Sequence, residues 1–385
     1  MILKKIFEKL KPTFSKGGKL GMFSSTFEAF ESFVFVPDTV AKRKGSHVHD
    51  CIDSKRTMSV VIIALMPAML FGMWNAGYQH FLSTGEAVSF IDTFFYGFLK
   101  VLPLIVVSYV VGLAIEFASA QIRGHEVNEG YLVTGMLIPL IMPVDVPLWI
   151  LTLAVIFAVV IGKEIFGGTG MNIWNPALLA RAFVFFAYPS KISGDKIWIA
   201  GLENAQSVAD GFSGATPLSY AAANEIDKLP DTVNMFLGIM PGSIGETSTV
   251  AILLGAAVLI FTGIASWKIM VSTAVGALFV GFLANTFGGT PYLEMPAWQH
   301  LLMGGFAFGA VFMATDPVTS SQTEAGKWIY GFLIGVVAIV IRLFNPGFPE
   351  GMMMAILLMN TFAPLIDHCV VQSNVKKRLK RKSVI

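Results

Sequence analysis

The chain has 385 residues, of which 55% are hydrophobic and only 14% are charged, and its mean hydropathy is +0.69. A soluble protein with so little charge could not cover its surface, so the composition predicts an integral membrane protein in contact with lipid. The formal net charge of +2 gives no reason to expect a nucleic-acid partner. Cys51 and Cys369 form no CxxC pair or cluster, which argues against zinc or an iron–sulfur centre held by this chain alone.

Residues 1–56 are predicted to stay on the cytoplasmic side. Residues 1–10 interrupt their apolar side chains with lysines, which is typical of an amphipathic surface helix rather than a cleaved secretory signal. Basic residues at 42–44 and 55–56 are the flank that the positive-inside rule expects there.

About ten apolar segments follow, each interpreted as a membrane-spanning helix. They lie at about residues 57–77, 97–119, 130–143, 146–165, 175–188, 248–264, 268–287, 298–314, 327–344 and 350–369. An even number places both termini in the cytoplasm, where Arg123, Lys268 and the basic tail 370–385 also fall. The polar stretch 189–247 between the fifth and sixth segments then lies in the periplasm.

The segments form two groups of five, at 57–188 and 248–369. Because five is odd, a duplicated unit must insert in opposite orientations. We therefore expect an all-α polytopic membrane protein of two inverted five-helix repeats, resembling the urea and ammonium transporter architecture. A proline in an apolar segment breaks the helix, and in lipid such a break persists only where it lines a cavity or is buried in protein. Breaks at matching places in the two halves therefore indicate an ion path or, alternatively, merely kinked helices. These breaks are Asn175-Pro176 with Asn345-Pro346, and Pro143 with Pro317.

A glycine-rich sequence, residues 167–170, precedes the fifth segment. Glycines before a helix start can form a nest of backbone amides suited to an anion or a flavin carbonyl. Gly168, Asn172, Trp174 and Asn175 are therefore candidate flavin contacts, with close helix packing as the alternative. The pattern is no dinucleotide fingerprint, because no strand precedes it.

Gly112 and Glu116 lie one helical turn apart in the second segment. A carboxylate in an apolar helix is costly and is a functional candidate, although a paired or snorkelling glutamate is equally plausible. Residues 125–130 then bring His125 and two glutamates into the next turn, where either proton handling near a quinone or an ordinary solvated turn would explain them. They do not match a zinc motif, and no metal other than sodium is expected.

The eighth segment places Phe308 and Phe312 on one helical face. Aromatic rings beside glycines can close a pore by dewetting, although helix packing is their commoner use. Asp316 follows, and with Thr315 and Thr319 it could supply oxygen ligands to a sodium ion.

The sequence Ser213-Gly214-Ala215-Thr216 lies in the polar stretch. It is small and punctuated by glycine, so it predicts an exposed loop that offers the Thr216 hydroxyl with little steric cover. On chemistry alone an ordinary turn would explain it. The motif resembles, however, the Ser-Gly-Ala-Thr sequence at which redox-driven sodium pumps carry a phosphoester-linked FMN.

Over nearly its whole length the chain resembles the B subunits of sodium-translocating NADH:quinone oxidoreductases. The motifs that carry this resemblance are residues 45–50, 53–58, 125–130, 163–170, 213–216, 241–246, 313–317 and 345–352. Residues 202–209 depart from it, because they lengthen the loop before Thr216. The related D subunits of ferredoxin:NAD oxidoreductase complexes share the Ser-Gly-Ala-Thr motif but begin with a shorter N-terminus. They are the nearest alternative, followed by a flavin-free channel or transporter of the same fold.

The resemblance implies a multi-pass protein of the bacterial inner membrane in a six-subunit complex, with the A, C, D, E and F subunits as partners. That complex passes electrons from NADH to a quinone and exports Na⁺. The resemblance implies covalent FMN at Thr216, attached by a flavin transferase, and a non-covalent riboflavin. It also implies quinone or inhibitor contacts at Gly112 and Glu116, beside segment 1–56, and a sodium constriction at Phe308 and Phe312. The chain has no NADH-binding pattern, so hydride uptake would belong to another subunit.

Overall fold

The computed structural model describes residues 2–14, 54–123, 130–202, 213–345, 347 and 349–382, with isolated positions 18, 21, 27, 31 and 35. Regular secondary structure in these ranges is helical and includes no strand, which confirms the all-helical prediction. The motifs at 45–50 and 125–129, residue 53, most of the lengthened loop (203–209), Pro346 of the predicted second-half break and residue 348 lie outside the described residues.

The first half contains two long helices, of 31 and 34 residues, and the helices that follow them are much shorter. The helices of this half are α1 Ile2–Phe14, α2 Ser54–Thr84, α3 Phe90–Arg123, α4 Tyr131–Leu140, α5 Leu148–Val159, which continues as the π-helical turn Val160–Glu164, and α6 Pro176–Ala187.

Two short helices, α7 Pro217–Ala222 and α8 Thr232–Leu237, follow in the polar stretch. The second half then contains α9 Thr249–Phe261, α10 Trp267–Phe287, α11 Pro291–Glu294, α12 Gln299–Leu302, α13 Phe306–Phe308, which passes into the π-helix Gly309–Met313, α14 Glu324–Phe344 and α15 Met352–Lys382.

Five of these helices, α2, α3, α10, α14 and α15, are long and apolar enough to cross a membrane. They are consistent with a polytopic membrane protein. Helices α4, α6 and α9 are apolar but have only 10, 12 and 13 residues. Such helices rise about 15–20 Å, less than the roughly 30 Å of a hydrocarbon core, so none spans it alone. The count of ten spans stays a prediction.

Glycines set the closest helix contacts in both halves. A Cβ added at Gly97 in α3 would overlap the carbonyl oxygen of Met73 in α2. A Cβ at Gly335 in α14 would likewise overlap the carbonyl oxygen of Thr273 in α10. Small residues at such crossings let the backbones approach, which is the main packing device between helices in lipid.

The loop before α9 closes the break after α4. The Gly245 amide donates to the Leu140 carbonyl at 2.7 Å, and the Ile244 amide donates to the Met142 carbonyl at 3.4 Å. These contacts satisfy backbone groups that the break would otherwise leave unpaired in an apolar setting. The inverted repeat itself stays a prediction.

The two ends of the bundle are defined by α3, whose 34 residues extend about 50 Å. In its first two turns, the Tyr96 ring stacks on His80 with centroids 4.2 Å apart, and His80 Nδ1 lies 2.6 Å from the carbonyl oxygen of Ala200, in the loop that leads to Thr216. Gly214 packs so closely on that loop that an added Cβ would overlap a backbone carbonyl. Thr216 therefore lies at the end of the bundle opposite to Arg123, and we call the two ends the Thr216 end and the Arg123 end.

Candidate functional site

A cavity opens between the broken helices of the two halves, and we call it the inner cavity. Its volume is about 90 Å³. The walls are mostly apolar, with a small number of convergent polar side chains, which is the usual character of a ligand site. Those with charged or amide groups are Lys163, Asn172, Asn175 and Asp316.

Asn175 joins the two breaks at this cavity. Its Oδ1 accepts from the Ala177 amide at 3.0 Å and so caps α6, while its Nδ2 donates to Asp316 Oδ2 at 3.2 Å. The Asp316 carboxylate also accepts from the Val318 amide at 3.0 Å and from Thr319 Oγ1 at 3.1 Å. All three donors are neutral, and no ion pair of Asp316 occurs among the described residues. The carboxyl group is thus held in place by neutral donors, without a protein cation.

The two quinone candidates lie together beside the inner cavity. Glu116 forms a buried ion pair with Lys163, and the two side chains are 5% and 3% exposed. The Lys163 ammonium also lies 5.8 Å from the centroid of the Tyr131 ring, a cation–π contact. A Cβ at Gly112 would overlap that ring, so glycine is what admits Tyr131 here. Since Lys163 lines the cavity as well, it connects the Gly112–Glu116 cluster to it.

The π-helical turn at the end of α5 presents two successive charges to α3. After Lys163, the Glu164 carboxylate accepts a hydrogen bond from Ser119 and lies 3.6 Å from Arg123 Nη1. A π-turn inserts a residue into the helix and is frequent at functional sites. In the sequence Lys163 is recognisable only as a charge at the edge of an apolar segment. No neighbouring residue or spacing indicates that it belongs to a functional site.

The four flavin candidates do not all meet. Asn172 and Asn175 line the inner cavity, whereas Gly168 and Trp174 do not. Trp174 lines a separate apolar groove and donates from Nε1 to Thr361 Oγ1 at 2.9 Å. Gly168 adopts φ +97°, which only glycine takes without strain, so its role is in the turn itself.

Phe308 and Phe312 lie between the inner cavity and the Thr216 end. Their ring centroids are 4.9 Å apart, and both side chains are buried. Phe312 lines the inner cavity, while the Phe308 ring is 3.2 Å from the position a Cβ would take at Gly245. The chain passes from one ring to the other through the π-helix Gly309–Met313.

A second depression, the outer pocket, lies at the Thr216 end beyond Phe308. Its volume is about 50 Å³, and its lining includes Trp198, Thr216 and Thr247. The sequence predicts an exposed Thr216, but the residue is half-buried because Gly214 packs tightly on the preceding loop. Its hydroxyl caps α7 by accepting from the Ser219 amide at 3.2 Å.

Charged residues lie at the base of the outer pocket. Arg181 Nη1 donates to Glu246 Oε1 at 2.7 Å, and its Nη2 donates to Glu350. Burial raises the pKa of the Glu246 carboxyl to about 7, although the attraction of Arg181 opposes the shift. Arg342 lies nearby and donates to the Met303 and Glu350 carbonyls at 2.9 and 3.0 Å.

Sequence reasoning missed this cluster. Arg181 and Arg342 each lie within an apolar segment, and a charge there is a functional signal that could have found them. The partners of Arg181 are distant in sequence: Glu246 lies 65 residues away and Glu350 lies 169 residues away. No local pattern therefore indicates these contacts.

Comparison with known proteins identifies the family of the chain. The model of the NQR2, RnfD, RnfE family matches residues 41–376. The B subunit of the Na(+)-translocating NADH-quinone reductase of Chromohalobacter salexigens is 47% identical over 407 residues, covering 99% of this chain and 97% of the relative. The proteins of the same name from Azotobacter vinelandii and Ectopseudomonas mendocina are 45% and 46% identical, and each match covers 99% of this chain and all of the relative. The chain therefore belongs to the NQR2, RnfD, RnfE family.

Proposed function

We propose that this chain is the flavin-carrying membrane subunit of a sodium-translocating NADH:quinone oxidoreductase. The support is the name shared by relatives at 45–47% identity, which match over 97–100% of their length. Such end-to-end matches include the N-terminal segment and favour this reading over the D subunit of a ferredoxin:NAD complex. The chain would then act with its partner subunits in the bacterial inner membrane, with both termini cytoplasmic and Thr216 periplasmic.

The observation that carries the proposal is the position of Thr216, the last residue of its Ser-Gly-Ala-Thr motif, on the lining of the outer pocket. The residues present fit a flavin, because Trp198 offers an aromatic face and Thr247 a buried hydroxyl without a partner. Attachment forms a bond from Thr216 Oγ1 to the FMN phosphorus. A transferase breaks the phosphoanhydride of a flavin dinucleotide donor, and the hydroxyl proton leaves with the nucleoside monophosphate. When bound, the flavin supplies reversible uptake and release of electrons.

We propose that the inner cavity holds the second, non-covalent flavin, riboflavin. Asn172 and Asn175 would orient it with their amides, and Lys163 would place a positive charge near it. Gly168 and Trp174 lie off the cavity lining, so direct contact would rest on the two asparagines. The mostly apolar walls exclude water from a bound ring.

For the quinone we propose the cluster of Gly112, Glu116, Tyr131 and Lys163. A quinone headgroup carries two carbonyl acceptors, and the Lys163 ammonium is a donor held in place by Glu116. The cluster lies at the Arg123 end, where segment 1–56 connects to the bundle through α2.

The transported sodium ion would pass between the two cavities. The Asp316 carboxyl group lies at the inner cavity without a protein cation, Phe308 and Phe312 form the constriction, and Glu246 lies beyond it. Flavin reduction and a nearby cation influence each other strongly in a low-dielectric interior. That gives a physical reason for flavins and an ion path to share one bundle.

The test is in-gel flavin fluorescence of the denatured full-length chain, co-produced with a flavin transferase. Thr216→Ala is expected to abolish the fluorescence while costing only about 1 kcal/mol of stability, the usual value of a helix cap. Thr290→Ala is the matched control, because Thr290 also caps a short helix that begins with proline. A dark wild-type band, or fluorescence retained in Thr216→Ala, would overturn the proposal and favour a flavin-free transporter.

A further inference from the structure

The outer pocket contains a buried hydroxyl that nothing in the described structure satisfies. Thr247 is 3% exposed, its Oγ1 has no hydrogen-bond partner, and its side chain lines the pocket. Ser243, 2% exposed, lines the same wall beside the Glu246 carboxylate, and its Oγ also lacks a well-formed hydrogen bond. A buried hydroxyl without a partner has lost its hydrogen bonds to water and destabilises the fold, so such groups usually mark a missing ligand or water.

The pocket has walls of two kinds. Trp198 and Met240 provide an aromatic and an apolar surface, while Ser243, Glu246 and Thr247 provide polar groups. A flat heteroaromatic ring with one polar edge matches this division. The pyrimidine edge of an isoalloxazine ring carries a carbonyl, an N–H and a second carbonyl in sequence. Hydroxyl donors and a carboxylate acceptor are the complementary groups.

The charges at the base of the pocket favour such a ring over a bound cation. Arg181 pairs with both Glu246 and Glu350, and Arg342 lies close enough to interact with the same two carboxylates. Two arginines therefore oppose two glutamates, and the cluster is formally neutral. A sodium ion would gain little electrostatic attraction here, in contrast to the carboxylate of Asp316.

We infer that Thr247 binds the pyrimidine edge of the flavin tethered to Thr216, with its hydroxyl donating to a ring carbonyl. The inference rests on the proposed function, which puts FMN on Thr216. Thr247 and Thr216 line the same pocket, so the tether and the hydroxyl belong to one site. Thr247 is thus a binding residue for the flavin ring and not for its phosphate.

The test is a stability cycle with and without covalent flavin. Wild type and Thr247→Val, each as the full-length chain, are produced with and without a flavin transferase and melted in detergent. Valine keeps the shape of threonine and removes only the hydroxyl. Without FMN the variant should melt about 1–3 °C higher than wild type, because an unpaired buried hydroxyl is gone. With FMN the order should reverse, because the wild-type hydroxyl is then paired.

Thr273→Val is the matched control. Thr273 is equally buried, but its hydroxyl donates to the Ile269 carbonyl within α10, so its effect should be the same with and without FMN. A second readout is the flavin itself. At a fixed applied potential, the ratio of reduced to oxidised FMN should fall about three- to tenfold in Thr247→Val, since a donor to a ring carbonyl favours the more electron-rich form.

Three results would overturn the inference. In the first, the difference between valine and threonine is the same with and without FMN, and the reduced-to-oxidised ratio does not change. In the second, NaCl but not KCl raises the melting temperature of the FMN-free wild type, and Thr247→Val abolishes this effect, which would make the pocket a cation site. Both leave FMN on Thr216 intact. In the third, the wild type carries no covalent flavin at all, and the proposed function fails with the inference.

Discussion

Replacing Lys163 with methionine should be among the most destabilising single changes in the bundle. Lys163 and Glu116 are 3% and 5% exposed and pair with each other. Among the described residues no other donor reaches the Glu116 carboxylate. Lys163→Met therefore leaves a buried charge without compensation, which costs about 3–5 kcal/mol.

The opposite single change and the double change should cost less. In Glu116→Met the Lys163 ammonium still has its cation–π contact with the Tyr131 ring, whose centroid is 5.8 Å away. The loss of stability should therefore fall toward the lower end of the same range. The double variant replaces both charges with apolar side chains of similar length. Such replacements of a buried pair are often neutral, so it should lose no more than about 1 kcal/mol. The double variant is thus expected to be more stable than either single variant.

The assay is unfolding of the full-length chain in mixed micelles of rising SDS fraction, followed by tryptophan fluorescence. Lys268 and Glu324 provide the matched control, since this pair is 29% and 65% exposed and removing either side chain should change stability little. Additive losses in the Glu116–Lys163 double variant would refute the reasoning. So would a Lys163→Met variant no less stable than Lys268→Met. In that case Glu116 would be free for direct quinone contact, and its variants should raise the quinone KM without loss of stability.

Three further predictions follow from packing and burial. Gly97→Ala should cost about 1–3 kcal/mol of stability by overpacking against α2, whereas its control Ala114→Val, on the exposed face of α3, should cost little. Equal losses of stability in SDS unfolding would contradict the close contact between α2 and α3. Phe312→Ala should cost about 3–5 kcal/mol of stability, because it removes a buried ring, and should raise passive ²²Na⁺ entry into proteoliposomes. An unchanged rate of ²²Na⁺ entry would rule out the constriction. Because burial raises the pKa of Glu246 to about 7, its contribution to stability is full below pH 4.5 and is lost as pH rises through 7. Wild type should lose up to about 1.4 kcal/mol per pH unit in this window relative to Glu246→Gln, and parallel pH profiles of the two melting temperatures would exclude the shift.

The features that sequence predicts well here are those set by local chemistry. Prolines in apolar segments indicated the breaks, and Asn175, Phe312 and Asp316 do line one cavity. The reason is that a proline removes a backbone donor wherever it stands, so its consequence is visible in the sequence. The polar side chains next to such breaks then face the space that the break creates.

The features that sequence did not predict depend on contacts between distant segments. The half-buried state of Thr216 arises because Gly214 packs on the preceding loop, against the Asp195 carbonyl and the Ile199 and Leu202 side chains, and no regular spacing indicates this contact. Trp174 is close to Asn175 in sequence, yet it lines a different groove because the turn before α6 directs it away. Arg181 acquires Glu246 and Glu350 only when both halves have assembled. None of these contacts follows a regular spacing that could be recognised in a single sequence.

The central claim is that Thr216 carries a covalent flavin, and peptide mass mapping of the chain isolated from its native membrane complex tests it most directly. The account predicts that the peptide containing Thr216 carries the mass of an FMN phosphoester and that fragmentation assigns it to the threonine rather than to Ser213 or Ser219. An unmodified Thr216 peptide, recovered in full from an active complex, would contradict it.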